Sequence, residues 1–259
     1  RADVDNLGTT FVHGFKRGDD DKYVTLSRTA ALSRQLSLFF KGYINKILDD
    51  NTESLFSDGK SRKVVIVYSG GDDVFIAGAW NDVISSYMDL RTALDKFTIG
   101  ALTISGGIGV YTPSYPISVM AEETQVLEDI SKEVDGKDAI TLWNEDHCYK
   151  WNEFRDKVVG EKMQALKEYF DNNDSRGMSF LYHLTDLLRN YKEQINIARY
   201  VYLLSRMEPD EKCEDEVKEK YRMFSEKMYR WSQEETDRRE LITAIYLYVY
   251  LNREQKEDE

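Results

Sequence analysis

The fold of this chain is decided by one stretch, Val64-Val65-Ile66-Val67-Tyr68-Ser69-Gly70-Gly71-Asp72-Asp73-Val74-Phe75-Ile76-Ala77-Gly78-Ala79-Trp80. Two runs of β-branched and aromatic residues flank five turn-forming residues, which is the pattern of an antiparallel hairpin inside a sheet. We expect both strands to be buried and the tip to carry the chemistry. Gly70 and Gly71 permit positive φ angles and let a ligand approach the backbone closely.

The tip of this hairpin carries two adjacent carboxylates, Asp72 and Asp73. Like charges this close repel each other unless a cation lies beside them, and a divalent metal ion is the usual solution. Glycine and aspartate also dominate ordinary solvated turns for conformational reasons alone. The tip by itself is therefore compatible with both a metal site and an ordinary turn, and other parts of the sequence are needed to distinguish them.

The segments around the hairpin alternate between strand and helix patterns. Residues 1–8 predict a strand that runs into a glycine-containing loop ending at Gly14, and an apolar stripe from Leu32 to Leu48 predicts the first helix. Asn81 is expected to cap the second helix. The remaining elements are a strand within 99–111, a helix at 117–134 and a short strand at 139–143. This order predicts a ferredoxin-like α/β sandwich of the α+β class.

The second half of the chain shows no strand pattern from about residue 145. Five stripes of apolar and aromatic residues at helical spacing are separated by breaks at 171–177, near Pro209 and at 234–237. Such stripes are typical of helices that pack into a bundle. The sequence therefore predicts two domains, a ferredoxin-like domain at 1–144 and a helical domain at 145–259.

Charge and cysteine content limit the possible functions. The 259 residues carry a formal net charge of −12, and neither half is basic, so a broad surface that follows nucleic-acid phosphates is excluded. A bound nucleotide would be held by metal ions and backbone groups. Cys148 and Cys213 lack the spacing of a zinc site or a disulfide framework, and we expect buried or semi-buried thiols of a cytoplasmic protein. With no long apolar run, no membrane partner is expected. The start at Arg1 suggests a fragment.

Acidic residues from distant parts of the chain are expected to meet. In a ferredoxin-like sandwich the first strand is central and lies beside the hairpin, so Asp3 should converge with Asp72 and Asp73 at one edge. Strand alternation would place Asp3 and Asp5 on one face. Carboxylates on rigid strands can hold two divalent ions about 4 Å apart for phosphoryl chemistry. The loop from Asn6 to Gly14 would offer backbone amides to phosphate oxygens.

These motifs together resemble one family. They match the second palm domain of the large signature subunit of type III CRISPR effector complexes, and the helical remainder is similar to that family's C-terminal domain. The form Ala-Asp-Val-Asp-Asn-Leu-Gly resembles the Csm (subtype III-A) branch. The segments that carry the resemblance are Asp3–Gly8 with Phe11 and Gly14, Ser69–Asp73, Ser105–Gly109, Lys132 and Gly136–Lys137.

The resemblance implies a cyclic oligoadenylate synthase that consumes ATP and is activated by target RNA. The 3′-hydroxyl of one ATP would attack the α-phosphate of the next, pyrophosphate would leave, and two Mg²⁺ or Mn²⁺ ions would serve as cofactors. Asp72 and Asp73 would be catalytic. The metal ligands carried over from the family are Asp3, Val4, Asp72 and Asp73. The nucleotide-binding residues carried over are Ser69, Gly70, Gly71, Asn6, Leu7, Gly8, Lys132 and Lys137.

The resemblance also implies partners. These are the other type III effector subunits, with guide RNA and target RNA held mainly by the assembled complex, and the first palm domain of the full-length chain. The family's HD nuclease domain, first palm domain and zinc-binding insertion are missing from this stretch, so the piece should bind one nucleotide and be weak alone. His13, His147 and His183 are isolated from any adjacent aspartate, and we expect no nuclease chemistry from them.

Two alternatives remain open from the sequence. One is a GTP enzyme similar to diguanylate cyclases, which share the palm and a related hairpin, although theirs reads Asp-Glu-Phe where this chain has Asp-Asp-Val-Phe. The other is a degenerate palm that acts as a scaffold for docking of neighbouring subunits. A preference for GTP over ATP would distinguish the first alternative from the synthase. Metal-dependent nucleotide binding would distinguish the synthase from the scaffold.

Overall fold

A computed structural model of the chain describes residues 1–18, 20–49, 61–171, 179–191 and 193–257. The chain forms two compact units, Arg1–Trp151 and Asn152–Glu259. A short strand at Cys148–Lys150, which the sequence pattern did not indicate, belongs to the first unit. The domain limits 1–144 and 145–259 stay a prediction.

The first unit contains a sheet whose strands are joined by helices. Its elements, in chain order, are β1 Ala2–Val4, α1 Leu7–His13, α2 Leu26–Leu38, a π-helical segment Phe39–Tyr43, α3 Ile44–Asp49, β2 Val64–Gly70, β3 Asp73–Gly78, α4 Trp80–Thr98, β4 Ile104–Ile108, α5 Ile117–Glu133, β5 Ala139–Leu142, a 3₁₀ turn Glu145–His147 and β6 Cys148–Lys150.

The sheet has six strands in the order β2-β3-β1-β4-β5-β6. The first four form the antiparallel ferredoxin-like arrangement, with β1 between β3 and β4. β5 then adds parallel to β4, and β6 adds antiparallel to β5. The predicted α+β class and ferredoxin-like order are therefore confirmed, and the central position of β1 is what brings distant residues together.

Three local expectations were wrong. The segment after β1 is helical from Leu7 to His13 rather than a loop, because Asn6 turns the chain at φ 54° and its carbonyl then accepts the amide of Thr10 at 2.9 Å. α4 begins at Trp80 after Ala79, so Asn81 is not its cap. The hairpin turn is also shorter than expected, because the strands extend to Gly70 and from Asp73.

The two hairpin strands differ in burial. In β3, Val74 and Ile76 are buried, as expected, and the Tyr87 hydroxyl from α4 donates to the Val74 carbonyl at 3.3 Å. β2 is the edge strand, and its Val65 and Tyr68 side chains are 67% and 53% exposed. The expectation that both strands are buried is therefore wrong for β2.

The described residues of the second unit form helices joined by short irregular segments and include no strand, in agreement with the predicted bundle. Its core contains the buried side chains of Phe154, Tyr200, Met228, Trp231 and Ile245. The elements that follow β6 are α6 Trp151–Glu153, which begins at the last residue of the first unit, a π-helical segment Phe154–Met163, α7 Gln164–Phe170, α8 Ser179–Arg189, α9 Gln194–Ser205, α10 Asp215–Gln233 and α11 Glu235–Glu257.

Two further findings bear on the sequence-based expectations. Within the described residues, no helix is both long enough and apolar enough to cross a membrane. Both cysteines are free thiols, with Cys148 partly buried and Cys213 exposed. The expectation of a buried or semi-buried thiol is therefore confirmed for Cys148 and wrong for Cys213, which lies in the polar segment between α9 and α10.

Substitution of Gly107 by alanine should destabilise the first unit by about 2–3 kcal/mol. A Cβ there would lie 2.5 Å from the Glu128 amide nitrogen and 2.6 Å from the Thr124 carbonyl oxygen, both in the backbone of α5. Chemical denaturation measures the loss. Gly42→Ala is the matched control, because no atom lies within 4 Å of that Cβ. Equal unfolding midpoints for the two variants would contradict the close contact between β4 and α5.

Candidate active site at the ends of β1 and β3

The acidic residues from β1 and the hairpin meet at one end of the sheet. Asp3 and Asp73 are direct partners in the antiparallel pairing of β1 with β3. The next residue along β1, Val4, donates its amide to the Asp72 carbonyl at 3.1 Å. The predicted convergence of the three aspartates is confirmed, because strand register rather than flexible side chains brings them together.

The hairpin turn presents Asp72 beside this pair. Gly71 has φ 71°, and the Asp72 amide donates to the Gly70 carbonyl at 3.0 Å, which closes a tight three-residue turn. No atom lies within 4 Å of the position that a Cβ on Gly71 would take. Gly71 is exposed and Asp72 half-buried, so a ligand has access to the backbone of the turn.

Two cations neutralise part of the acidic cluster. Lys132 of α5 places its Nζ 2.6 Å from Asp3 Oδ2, and Arg1 places Nη2 2.9 Å from Asp73 Oδ2. The side chains of both pairs are about one quarter exposed. The Asp72 carboxylate makes no hydrogen bond or ion pair with any residue that the structure describes. Asp72 is therefore the acidic group most open to a ligand.

The buried carboxylate of Glu128 contacts both cations. Its Oε1 lies 2.6 Å from Lys132 Nζ, and its Oε2 lies 3.2 Å from Arg1 Nε. The Glu128 side chain is only 3% exposed. We call Arg1, Glu128 and Lys132 the cation bridge. Sequence reasoning missed Glu128 and Arg1; the i,i+4 spacing of Glu128 and Lys132 was a usable signal for one contact.

The position of α5 depends on the glycine at Gly107. The absent side chain there lets the helix backbone at Thr124 and Glu128 lie against β4. β4 is the neighbour of β1, with Ser105 opposite Asp3. The glycines of the Ser-Gly-Gly motif thus serve packing, and this packing brings Lys132 within reach of Asp3.

The pKa values of these groups follow from burial and crowding. Burial raises the pKa of Asp3, and repulsion from Asp72 and Asp73 adds to it, although Lys132 opposes the shift. Burial likewise raises the pKa of Glu128. Burial alone would lower the pKa of Lys132, but its bonds to Asp3 and Glu128 raise it. One lysine shared by two carboxylates stays charged without neutralising the whole cluster.

Asp5 does not belong to the acidic cluster. β1 ends at Val4, so strand alternation does not extend to Asp5 as expected. Its carboxylate is 3% exposed and accepts bonds from Thr103 Oγ1 at 2.8 Å, Ser105 Oγ at 3.1 Å and the Asp138 amide at 3.1 Å. These contacts tie the end of β1 to β4 and β5, which is a structural role.

The remaining predicted site residues surround the cluster unequally. The Ser69 hydroxyl donates to the Phe40 carbonyl, so its side chain is already bonded to the π-helical segment. Lys137 donates from Nζ to Asn6 Oδ1 at 2.8 Å at an exposed position. Leu7 and Gly8 form the start of α1, where Gly8 is exposed. Their contact with a nucleotide stays a prediction.

The carboxylates of the three aspartates are candidate ligands for a divalent metal ion. Three carboxylates are the hard oxygen ligands that Mg²⁺ and Mn²⁺ prefer. As placed, no group of three Asp, Glu, His or Cys side chains within the described part of the chain could hold a metal ion. In this arrangement Asp3 and Asp73 pair with Lys132 and Arg1. The residues fit a metal by chemistry, provided that these ion pairs open.

The strand order and the acidic end of the sheet define a palm domain. A family model described as Cas10/Cmr2, second palm domain, matches residues 1–141, and one described as CRISPR RNA silencing complex Cmr2 subunit, second helical domain, matches residues 167–254. The chain therefore belongs to the Cas10/Cmr2 family, as the sequence motifs predict.

Curated relatives support this assignment. The chain is 42% identical over its whole length to the CRISPR system single-strand-specific deoxyribonuclease Cas10/Csm1 (subtype III-A) of Mycobacterium tuberculosis. It is 44% identical over 98% of its length to the protein of the same description from Enterococcus italicus. The chain spans only 32% and 30% of these two relatives.

Solved structures show the same fold. A Csm1–Csm4 cassette in complex with one ATP matches 96% of this chain and 35% of the compared chain, with a TM-score of 0.66 and 23% identity. A Csm1–Csm4 cassette in complex with cA4 matches 96% of this chain and 36% of the compared chain, with a TM-score of 0.65 and 22% identity. Csm1 of T. onnurineus matches 79% of this chain and 30% of the compared chain, with a TM-score of 0.62 and 25% identity.

Lys132→Met should destabilise the first unit by about 2 kcal/mol, because among the described residues it leaves the buried Glu128 with Arg1 as its one cationic partner. Lys137→Met is the matched control, since the Lys137 Nζ bonds only to the exposed Asn6 side chain among the described contacts, and the change in stability should be within about 0.5 kcal/mol. Urea denaturation compares the two. Equal losses would argue against a stabilising role for the cation bridge.

Proposed function

We propose that this chain is the second-palm module of a cyclic oligoadenylate synthase, a nucleotidyltransferase that joins ATP through 3′-5′ phosphodiester bonds in a type III CRISPR complex. The observation that carries the proposal is the meeting of Asp3, Asp72 and Asp73 at one accessible end of the sheet. Family membership supports the same assignment, because the matching model is a palm domain.

Each acidic residue has a role in this proposal. Asp72 and Asp73 act as the catalytic acidic pair, and with Asp3 they hold Mg²⁺ or Mn²⁺. Val4 has a buried apolar side chain and can contribute only its carbonyl oxygen. A divalent ion bound there would activate the attacking hydroxyl and stabilise the leaving oxygen. Asp72 is the natural first ligand, since its carboxylate is not held by a cation among the described residues.

Other residues of the chain position the nucleotide. Gly70 and Gly71 let the phosphates approach the turn backbone, since no side chain blocks Gly71. Ser69 contributes through its backbone, because its hydroxyl is bonded to Phe40. Asn6, Leu7 and Gly8 line the adjoining start of α1. Lys132 and Lys137 supply positive charge for the triphosphate once the carboxylates are taken up by metal.

ATP is the preferred substrate. Related cassettes of Csm1 and Csm4 have been solved with one ATP, with AMPPNP, with cA4 and with cA3. These ligands belong to those complexes and support adenine nucleotides over the guanine alternative for this chain.

The proposal also covers assembly. The chain would act beside the first palm domain of its full-length protein, with other type III subunits, and target RNA would activate it. The solved Csm1–Csm4 subcomplex of a type III-A Csm interference complex supports such partners. A cytoplasmic location agrees with the free thiols of Cys148 and Cys213, because cytoplasmic thiols are kept reduced.

The test is the double variant Asp72→Asn with Asp73→Asn in the full-length protein. It should weaken Mn²⁺-dependent ATP binding by about 100-fold, because it removes two of the three carboxylates proposed to hold the metal. The control, Glu145→Gln with Asp146→Asn, changes two adjacent exposed acids of the same unit and should bind ATP normally.

Two outcomes of this titration would contradict the proposal. Unchanged ATP binding in the double variant would favour the scaffold alternative. Tighter binding of GTP than ATP by the unmodified protein, with cyclic dinucleotide as the product, would favour the guanylate alternative.

A further inference from the structure

Glu128 is a buried acid that the proposed reaction does not use directly. It lies on α5, one turn before Lys132, and is 3% exposed. Its two oxygens contact different cations, Lys132 Nζ at 2.6 Å and Arg1 Nε at 3.2 Å. Each of these cations also contacts one aspartate of the acidic cluster. Glu128 is thus the only described residue that links the two ion pairs.

Burying such a carboxylate is costly unless its partners are well placed. Lys132 is anchored by packing, because Gly107 lets the α5 backbone lie against the sheet. Arg1 is held by a second contact with α5, since its Nη1 donates to Gln125 Oε1 at 2.9 Å. Replacement by a neutral residue would leave Lys132 with Asp3 as its one carboxylate partner among the described residues. The charge of Glu128 therefore decides where Lys132 stays when Asp3 is engaged elsewhere.

We propose that Glu128 is a positioning residue, which holds Lys132 and Arg1 at the mouth of the acidic cluster in both states of the site. Before metal binds, Lys132 and Arg1 pair with Asp3 and Asp73. With a divalent ion held by these aspartates, Glu128 would keep both cations in place, and the N–H groups that had bonded to Asp3 and Asp73 would become available to the anionic triphosphate. The role of Glu128 depends on the proposed function, because the cations then receive phosphate oxygens.

Glu128 should therefore contribute to recognition of the outer phosphates and not of the nucleoside. ATP carries a triphosphate that reaches the cations, whereas AMP carries one phosphate. Loss of the Glu128 charge lets Lys132 move with the side-chain freedom of an unanchored lysine, and removal of a residue that orients a binding group typically costs about tenfold in affinity. A purely structural role would weaken both nucleotides alike.

The experiment compares Glu128→Gln with the unmodified full-length protein at saturating Mn²⁺. We expect ATP to bind about tenfold more weakly and AMP to change by less than about twofold. Glu128→Asp keeps the charge, but its side chain is one methylene too short to contact Lys132 and Arg1 together, so it should also weaken ATP selectively, and it serves if the Gln variant is unstable. Glu122→Gln, on the exposed face of α5, is the matched control and should bind both nucleotides normally.

Three results are decisive. A selective loss for ATP supports the positioning role. Equal losses for ATP and AMP, or no loss in either Glu128 variant, overturn it. If the Asp72→Asn, Asp73→Asn variant also binds ATP normally, the proposed function itself fails, whereas normal ATP binding by the Glu128 variants alone removes only the role of Glu128.

Discussion

The pairing of Asp3 with Asp73 across β1 and β3 is the constraint on which the site depends. Backbone hydrogen bonds fix this register, and a slip of one residue would turn either carboxylate to the other face of the sheet. With Asp72 on the adjoining turn, three negative charges are crowded together. The positive charges of Lys132 and Arg1 partly neutralise these carboxylates, and the buried Glu128 contacts both cations.

The compensation couples packing to chemistry. α5 lies close enough to supply Lys132 only because β4 carries glycine at position 107. The raised pKa of Asp3 shows that burial and repulsion outweigh the help from Lys132. A site with such residual strain has a ready use for a divalent cation, since an added positive charge relieves the repulsion that the protein leaves unbalanced.

Much of this organisation could be predicted from sequence. The hairpin follows from its β-branched runs, and the alternation of helices and strands predicts the ferredoxin-like order, from which the meeting of Asp3 with the hairpin follows. The cation bridge could not be predicted in full, because the contacts of Glu128 and Arg1 depend on three-dimensional packing between α5 and the sheet. Local periodicity also missed α1, because its glycine disfavours a helix and the left-handed backbone of Asn6 starts it. It missed β6 because that strand is only Cys148–Lys150.

The most direct test of the account is a structure of the full-length protein with ATP and Mn²⁺, with the metal located by its anomalous scattering. The account predicts Mn²⁺ bound by Asp3 together with Asp72 and Asp73, and Lys132 separated from Asp3 but still bonded to Glu128. Mn²⁺ and nucleotide bound away from these aspartates, or an intact ion pair between Lys132 and Asp3 beside bound ATP, would contradict it.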